Sequence, residues 1–160
     1  MRNFRIALVA LAVAALTTVT AASALTPTTI SFTGKYAGQA STKIDGNVAA
    51  ISATGTGTGT LIGAGKLTGT GTGASDQQPC VPFGGTGKLT GASGSITFTV
   101  PNASKGCGDE GGHTFLLKGT ATVLKATGKL LRAKGSLRFT GVYDRDGGTF
   151  NVKFTGLLKK

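Results

Sequence analysis

The stretch Cys107-Gly108-Asp109-Glu110-Gly111-Gly112-His113 places two carboxylates and the only histidine of the chain within seven residues. A carboxylate beside an imidazole is the pairing used in general acid/base catalysis, and the same oxygens and nitrogens are donors for a metal ion. Equally, the stretch reads as a solvated, glycine-rich turn with His113 opening the next strand, because the side chains of adjacent residues such as Asp109 and Glu110 diverge. One histidine leaves a zinc site of the usual kind short of ligands. Asp109, Glu110 and His113 are thus the candidate polar cluster, with no metal, no cofactor and no catalytic residue assigned.

Other chemical signatures are sparse. Asp144-Arg145-Asp146-Gly147 opens like a calcium loop, but the later oxygen ligands and closing Glu are missing, and a hairpin turn accounts for it. Asn102-Ala103-Ser104 fits the short glycosylation sequon. No Gly-x-Ser-x-Gly elbow occurs, and Gly65-Lys66-Leu67 has Leu where a phosphate loop needs a hydroxyl. Trp is absent and Tyr is limited to Tyr36 and Tyr143, so stacking platforms for bases or sugars are few. The balance favours a binding protein over an enzyme.

Cys80 and Cys107 are the only cysteines, and a disulfide is the default for such a pair in an exported chain, with free thiols or half a metal site as alternatives. Export itself is read at the N-terminus. Arg2 and Arg5 precede the apolar run Ile6 to Leu16, and Ala22-Ser23-Ala24 offers small residues for cleavage. Residues 1–24 thus read as a signal peptide and 25–160 as a single domain, secreted, periplasmic or held at the cell envelope of a bacterial-type cell. The competing reading is a membrane anchor, since Ile6 to Leu25 is nearly long enough to span; no later run could span as a helix.

The chain carries 17 basic and 6 acidic side chains, a net charge of +11. Charge concentrates in the last third: between Lys118 and Lys160 ten basic residues face only Asp144 and Asp146. Lys125, Lys129, Arg132, Lys134 and Arg138 are the candidate anion-binding residues. Outside a cell such a field suits an anionic envelope polymer, lipid headgroups or acidic glycans better than nucleic acid, or it serves solubility alone.

The elements that must hold these residues are strands. Ile30, Phe32 and Tyr36 alternate with polar neighbours, as do Ile96, Phe98 and Val100, then Phe115, Leu117, Ala121 and Val123, each in the pattern of a half-buried strand. Leu137 and Phe139 lead into the turn at Asp144–Gly148, and Phe150, Val152 and Phe154 follow, a β-hairpin. From 54 to 73, Gly or Leu holds every odd position; two strands are expected to meet near Gly63-Ala64-Gly65, their glycine face admitting a backbone or a bulky side chain. The threonine rows Thr54–Thr60 and Thr68–Thr72 also admit a flat hydroxyl array of the ice-binding or adhesive kind.

Residues 86–99 align without gaps on 127–140, identical at nine of fourteen positions, with fainter copies at Gly65-Lys66-Leu67 and Gly34-Lys35-Tyr36. The unit suggests a strand ending at Thr-Gly, a compact turn whose Leu and Ala plug the core, and a Gly launching the next strand. Gly84-Gly85-Thr86-Gly87-Lys88-Leu89-Thr90-Gly91-Ala92-Ser93-Gly94 resembles the glycine-rich stretch of dirigent proteins and allene oxide cyclase barrels, with Leu89 where that pattern has an aromatic. The resemblance implies an all-β, closed antiparallel barrel of about eight strands acting on hydrophobic or phenolic ligands inside it; none of the family's polar cavity residues finds a match here. The expected function is an exported, non-catalytic barrel binding an anionic surface or polymer or a small apolar ligand. The alternative is a cyclase- or dirigent-type barrel acting on a hydrophobic substrate.

Overall fold

The computed structural model describes residues 28–75 and 79–160; the signal segment expected at 1–24 lies outside the described residues. Eight antiparallel strands follow one another around a closed barrel. They are β1 (Thr29–Asp45), β2 (Val48–Gly59), β3 (Gly63–Ala74), β4 (Cys80–Gly91), β5 (Gly94–Gly108), β6 (Thr114–Ala126), β7 (Lys134–Asp144) and β8 (Thr149–Lys159). β8 pairs back onto β1, Thr29 opposite Lys159, and Thr28 exchanges both backbone hydrogen bonds with Lys160. Closure leaves no strand edge unpaired, which removes the usual hazard of an all-β protein.

Alternation decides what faces inward. Phe32 and Tyr36 on β1, Leu89 on β4, Ile96 and Phe98 on β5, Ala121 and Val123 on β6, Leu137 and Phe139 on β7 and Phe150, Val152 and Phe154 on β8 are all buried inside. The outward positions carry Thr, Ser and Lys, so the barrel wall has the polarity of one that stands in water, the reverse of a membrane barrel. Among the described residues no helix is long and apolar enough to cross a membrane.

The strand pair expected across 54–73 forms, with its turn at Thr60-Leu61-Ile62 and not at Gly63–Gly65, which already belong to β3. The cause is Ile62: it folds over the barrel end and is fully buried, and Thr60 fastens the turn to β1 through Thr33, its N–H donating to the Thr33 carbonyl at 2.9 Å. The glycine face of this pair admits the expected neighbours. A side chain at Gly57 would strike the Lys35 carbonyl and the Tyr36 ring.

The sequence repeat is not a structural repeat. In the first copy Thr86–Gly91 is strand and Ala92 is exposed; in the second, Gly128–Leu130 forms a short 3-10 turn, η1, and Leu130 and Ala133 are buried. The copies already part at Gly87 and its counterpart Gly128, which turns at φ 62°, and they differ again at Gly91 and its counterpart Arg132. Ile62 packs against Gly91, leaving no space for a side chain, whereas Arg132 turns the chain outward at φ 68°. All four copies nevertheless share one result: Tyr36, Leu67, Leu89 and Leu130 point inward and are buried.

Candidate functional site

Each hairpin connection lies at one of two ends. The β2–β3 and β4–β5 turns and the η1 segment close one end; the β1–β2, β3–β4, β5–β6 and β7–β8 connections surround the other. At the closed end Ile62, Leu89, Ile96, Leu130, Leu137 and Leu158 are fully buried, with Phe32 among them. Hydrogen bonds lace its turns together: Ser93 N–H donates to the Ile62 carbonyl at 3.2 Å and Lys129 N–H to the Ser93 carbonyl at 2.9 Å. Thr127, which precedes η1, does not cap it; its hydroxyl accepts from Ser95 N–H at 3.1 Å and meets the Ser95 hydroxyl at 2.9 Å.

The other end is hollow. A cavity of about 700 Å³ opens there, within the range of small-molecule sites. Its floor is a set of packed rings: Phe98 and Phe139 lie 5.5 and 5.9 Å from Phe154, and Phe83 lies 6.1 Å from Phe139. Edge-to-face and tilted packing of this kind adds stability beyond area burial. Above the floor stand Ile51, Val100, Leu117 and Phe115, inward-facing yet only half-buried, and Ile44 at the lip is 54% exposed. Inward apolar side chains in contact with solvent are the mark of an unfilled interior.

The hollow follows from which side chains oppose which. Ala53 on β2 is flanked by Ala40 on β1 and Gly69 on β3, and Gly69 by Gly87 on β4. Four neighbouring strands thus offer nothing larger than a methyl group at this level. A Cβ on Gly69 would have no side chain within 4 Å, its nearest neighbour being the Thr86 carbonyl at 3.3 Å. β5 contributes a second irregularity: Thr99 to Lys105 spans six steps against four on β6, from Thr122 to Lys118. Pro101, which has no N–H to give a ladder, lies in this bulged segment.

Polar atoms in the hollow half sit mostly at the lip. The Tyr143 and Thr42 hydroxyls are 3.3 Å apart, and Arg145, Asp146 and Ser75 line the opening. Two buried hydroxyls outside the cavity lining have no partner: that of Tyr36, which points towards Gly59 at the closed end, and Ser104 Oγ beside Gly119; burial pushes the Tyr36 pKa up from 10.0.

Cys80 and Cys107 stand opposite one another on β4 and β5 near the mouth and are joined by a disulfide, S–S 2.03 Å. Asp109, Glu110 and His113 occupy the β5–β6 connection beside it, and none of the three lines the cavity. The Asp109 carboxylate accepts from the backbone N–H of His113 at 2.9 Å and of Thr114 at 3.2 Å, and the His113 backbone bond leads the causes that lower its pKa from 3.8. His113 reaches away from Asp109 to Asp146, Nδ1 to Oδ2 2.7 Å, while Arg145 N–H donates to the His113 carbonyl at 2.8 Å. The cluster therefore works as a clamp between two connections. Asp144 holds its turn in the same manner, accepting from Asp146 and Gly147 N–H at 3.0 Å. No group of three or more His, Cys, Asp or Glu converges among the described residues.

Lys125, Lys129, Arg132 and Lys134 gather at the closed end and are exposed; Arg138 stands apart on the outer wall of β7. Lys134 lies opposite Lys159, and Lys160 Nζ donates to the Lys129 carbonyl at 3.4 Å. The described acidic residues, Asp45, Asp109, Glu110, Asp144 and Asp146, all lie at the hollow end. Composition alone did not reveal this segregation; counting alternate connections would have, since in an up-and-down barrel they share an end. The threonine rows come side by side on the outer wall, Thr54 opposite Thr68. Ser104 of the sequon is buried.

Comparison with protein-family models, with curated proteins and with solved structures finds no match to this chain.

Proposed function

We propose that this is an exported, non-catalytic binding protein that takes a small apolar ligand into the hollow half of its barrel. The carrying observation is the cavity of about 700 Å³ with Ile51, Val100, Leu117 and the Phe98–Phe154–Phe139 floor around it. An apolar molecule entering it removes its own surface and that of the half-buried wall from water, at roughly 25 cal/mol per Å². The Tyr143 and Thr42 hydroxyls at the lip suit a ligand with one polar end. The resemblance at Gly84–Gly94 to barrels that hold hydrophobic ligands points the same way, and the disulfide is in keeping with an oxidising compartment.

The test is titration with the neutral probe N-phenyl-1-naphthylamine, whose fluorescence rises in apolar surroundings. Saturable one-to-one binding is expected. Ala53→Phe puts a ring into the space beside Gly69 and is expected to weaken binding by about tenfold or more, some 1.4 kcal/mol, with circular dichroism unchanged. Absence of saturable binding, or full binding by a folded Ala53→Phe variant, would contradict the proposal.

A further inference from the structure

We propose that the closed end of the barrel docks on an anionic lipid bilayer, with Leu61, Leu131 and Leu157 entering the headgroup region and the surrounding cations meeting lipid phosphates. This concerns the opposite end from the cavity and does not rest on the apolar-ligand reading.

The turns at this end have two faces. Their inner face holds Ile62 and Leu130, both fully buried; their outer face carries Leu61, 40% exposed, and Leu131, 54% exposed. Nearby on the outer wall Leu124 and Leu157 are 62% and 65% exposed, beside Lys125 and Lys159. A single exposed leucine needs no explanation. Here the leucines are interleaved with Lys125, Lys129, Arg132, Lys134, Lys159 and Lys160, and the described acidic residues lie at the far end.

Backbone geometry adds an independent observation. Leu61 and Arg132 are the described non-glycine residues with left-handed φ, 62° and 68°. Glycine would sit there without strain, and both side chains point to solvent, so neither is held for packing.

The combination selects the partner. A soluble polyanion uses the cations and has no use for the leucines; an apolar protein patch uses the leucines and has no use for six cations. An anionic bilayer uses both, with long Lys and Arg stems lying along the interface and each cation adding attraction. The cavity opens at the opposite end, so docking in this way leaves its mouth towards solvent.

Trp is absent from the chain, so one introduced Trp reports a single place. Strands β1 to β8 close the barrel on themselves, each paired on both edges, so a chain starting at Leu25 keeps every strand of it; it also omits the apolar run at Ile6–Leu16, whose own affinity for lipid would mask the effect. Leu131→Trp is mixed with vesicles of equimolar phosphatidylglycerol and brominated phosphatidylcholine. A blue-shifted, bromine-quenched emission is expected, lost on vesicles of brominated phosphatidylcholine alone and weakened by salt. Leu116→Trp, on the β6 wall near the mouth, is expected to stay unquenched. Adding Arg132→Gln and Lys134→Gln to Leu131→Trp should weaken binding about twenty-fivefold, a factor of about five per cation. No binding to the phosphatidylglycerol vesicles, or equal quenching at both positions, overturns the proposal. So does vesicle binding without quenching at position 131 that dextran sulfate abolishes, the outcome for a surface that reads charge alone.

Discussion

Leu130 and Leu117 point into the same barrel and meet different surroundings. Leu130 is enclosed on all sides by Ile62, Leu89 and the other residues of the closed end, whereas Leu117 faces a cavity across from glycine and alanine. The difference lies in what stands opposite each residue. Leu67 meets Leu89 across the β3–β4 pair; two residues along each strand, Gly69 meets Gly87. A single step of the alternation separates a filled core from an empty one.

The largest effect that tests this contrast is a paired truncation. Leu130→Ala removes a fully enclosed side chain and is expected to cost about 3 kcal/mol of unfolding free energy. Leu117→Ala, whose side chain already borders open space, is expected to cost under about 1 kcal/mol. Urea unfolding of both checks it; equal losses would mean that the two halves are packed alike.

Cys80→Ser with Cys107→Ser comes next, with a loss of about 3 kcal/mol as the 27-residue separation between the cysteines is released in the unfolded chain. Because the bond joins β4 to β5 near the mouth, hydrogen exchange is expected to quicken at the amides of Val81 and Gly106 more than at Leu89 and Ile96. Uniform acceleration would show that the mouth has no local stability of its own.

Tyr36→Phe gives the smallest shift. It removes a buried hydroxyl that has no partner, so the protein is expected to gain about 1 kcal/mol. The pH dependence follows from the raised folded-state pKa: below the unfolded value of 10.0 tyrosine is neutral in both states, and above it the unfolded state alone releases the proton. The stability tied to Tyr36 is present below pH 10.0 and is lost as the pH rises towards the folded-state pKa. The variant should lack that part of the alkaline loss, which urea unfolding across the alkaline range would show. A destabilised variant would mean that the hydroxyl has a partner.

The barrel and its inward face were legible because alternation is local: Phe150, Val152 and Phe154 announce a strand and its buried side within five residues. The hollow was not. Gly57 and Gly69 read alike in the Thr-Gly rows, yet Gly57 lies opposite Tyr36 and Gly69 opposite Ala53, and pairing between strands is what separates a ring's resting place from a cavity wall. The repeat misled for the same reason, since Gly87 lies in β4 under the Phe98 ring while its counterpart Gly128 turns at φ 62° against the Ser93 carbonyl, and Gly91 and Arg132 differ in turn in what packs on them. Among the candidate residues, the cysteine pairing came from composition, while the roles of Asp109 and His113 as clamps needed the β7–β8 turn to be brought beside them from more than thirty residues away.

The most direct measurement is methyl NMR during titration with N-phenyl-1-naphthylamine. Shifts are expected at Ile51, Val100 and Leu117 of the hollow half, with Leu89, Ile96 and Leu130 of the closed half unmoved. Shifts spread evenly over both sets, or confined to the exposed leucines of the outer wall, would contradict an internal site.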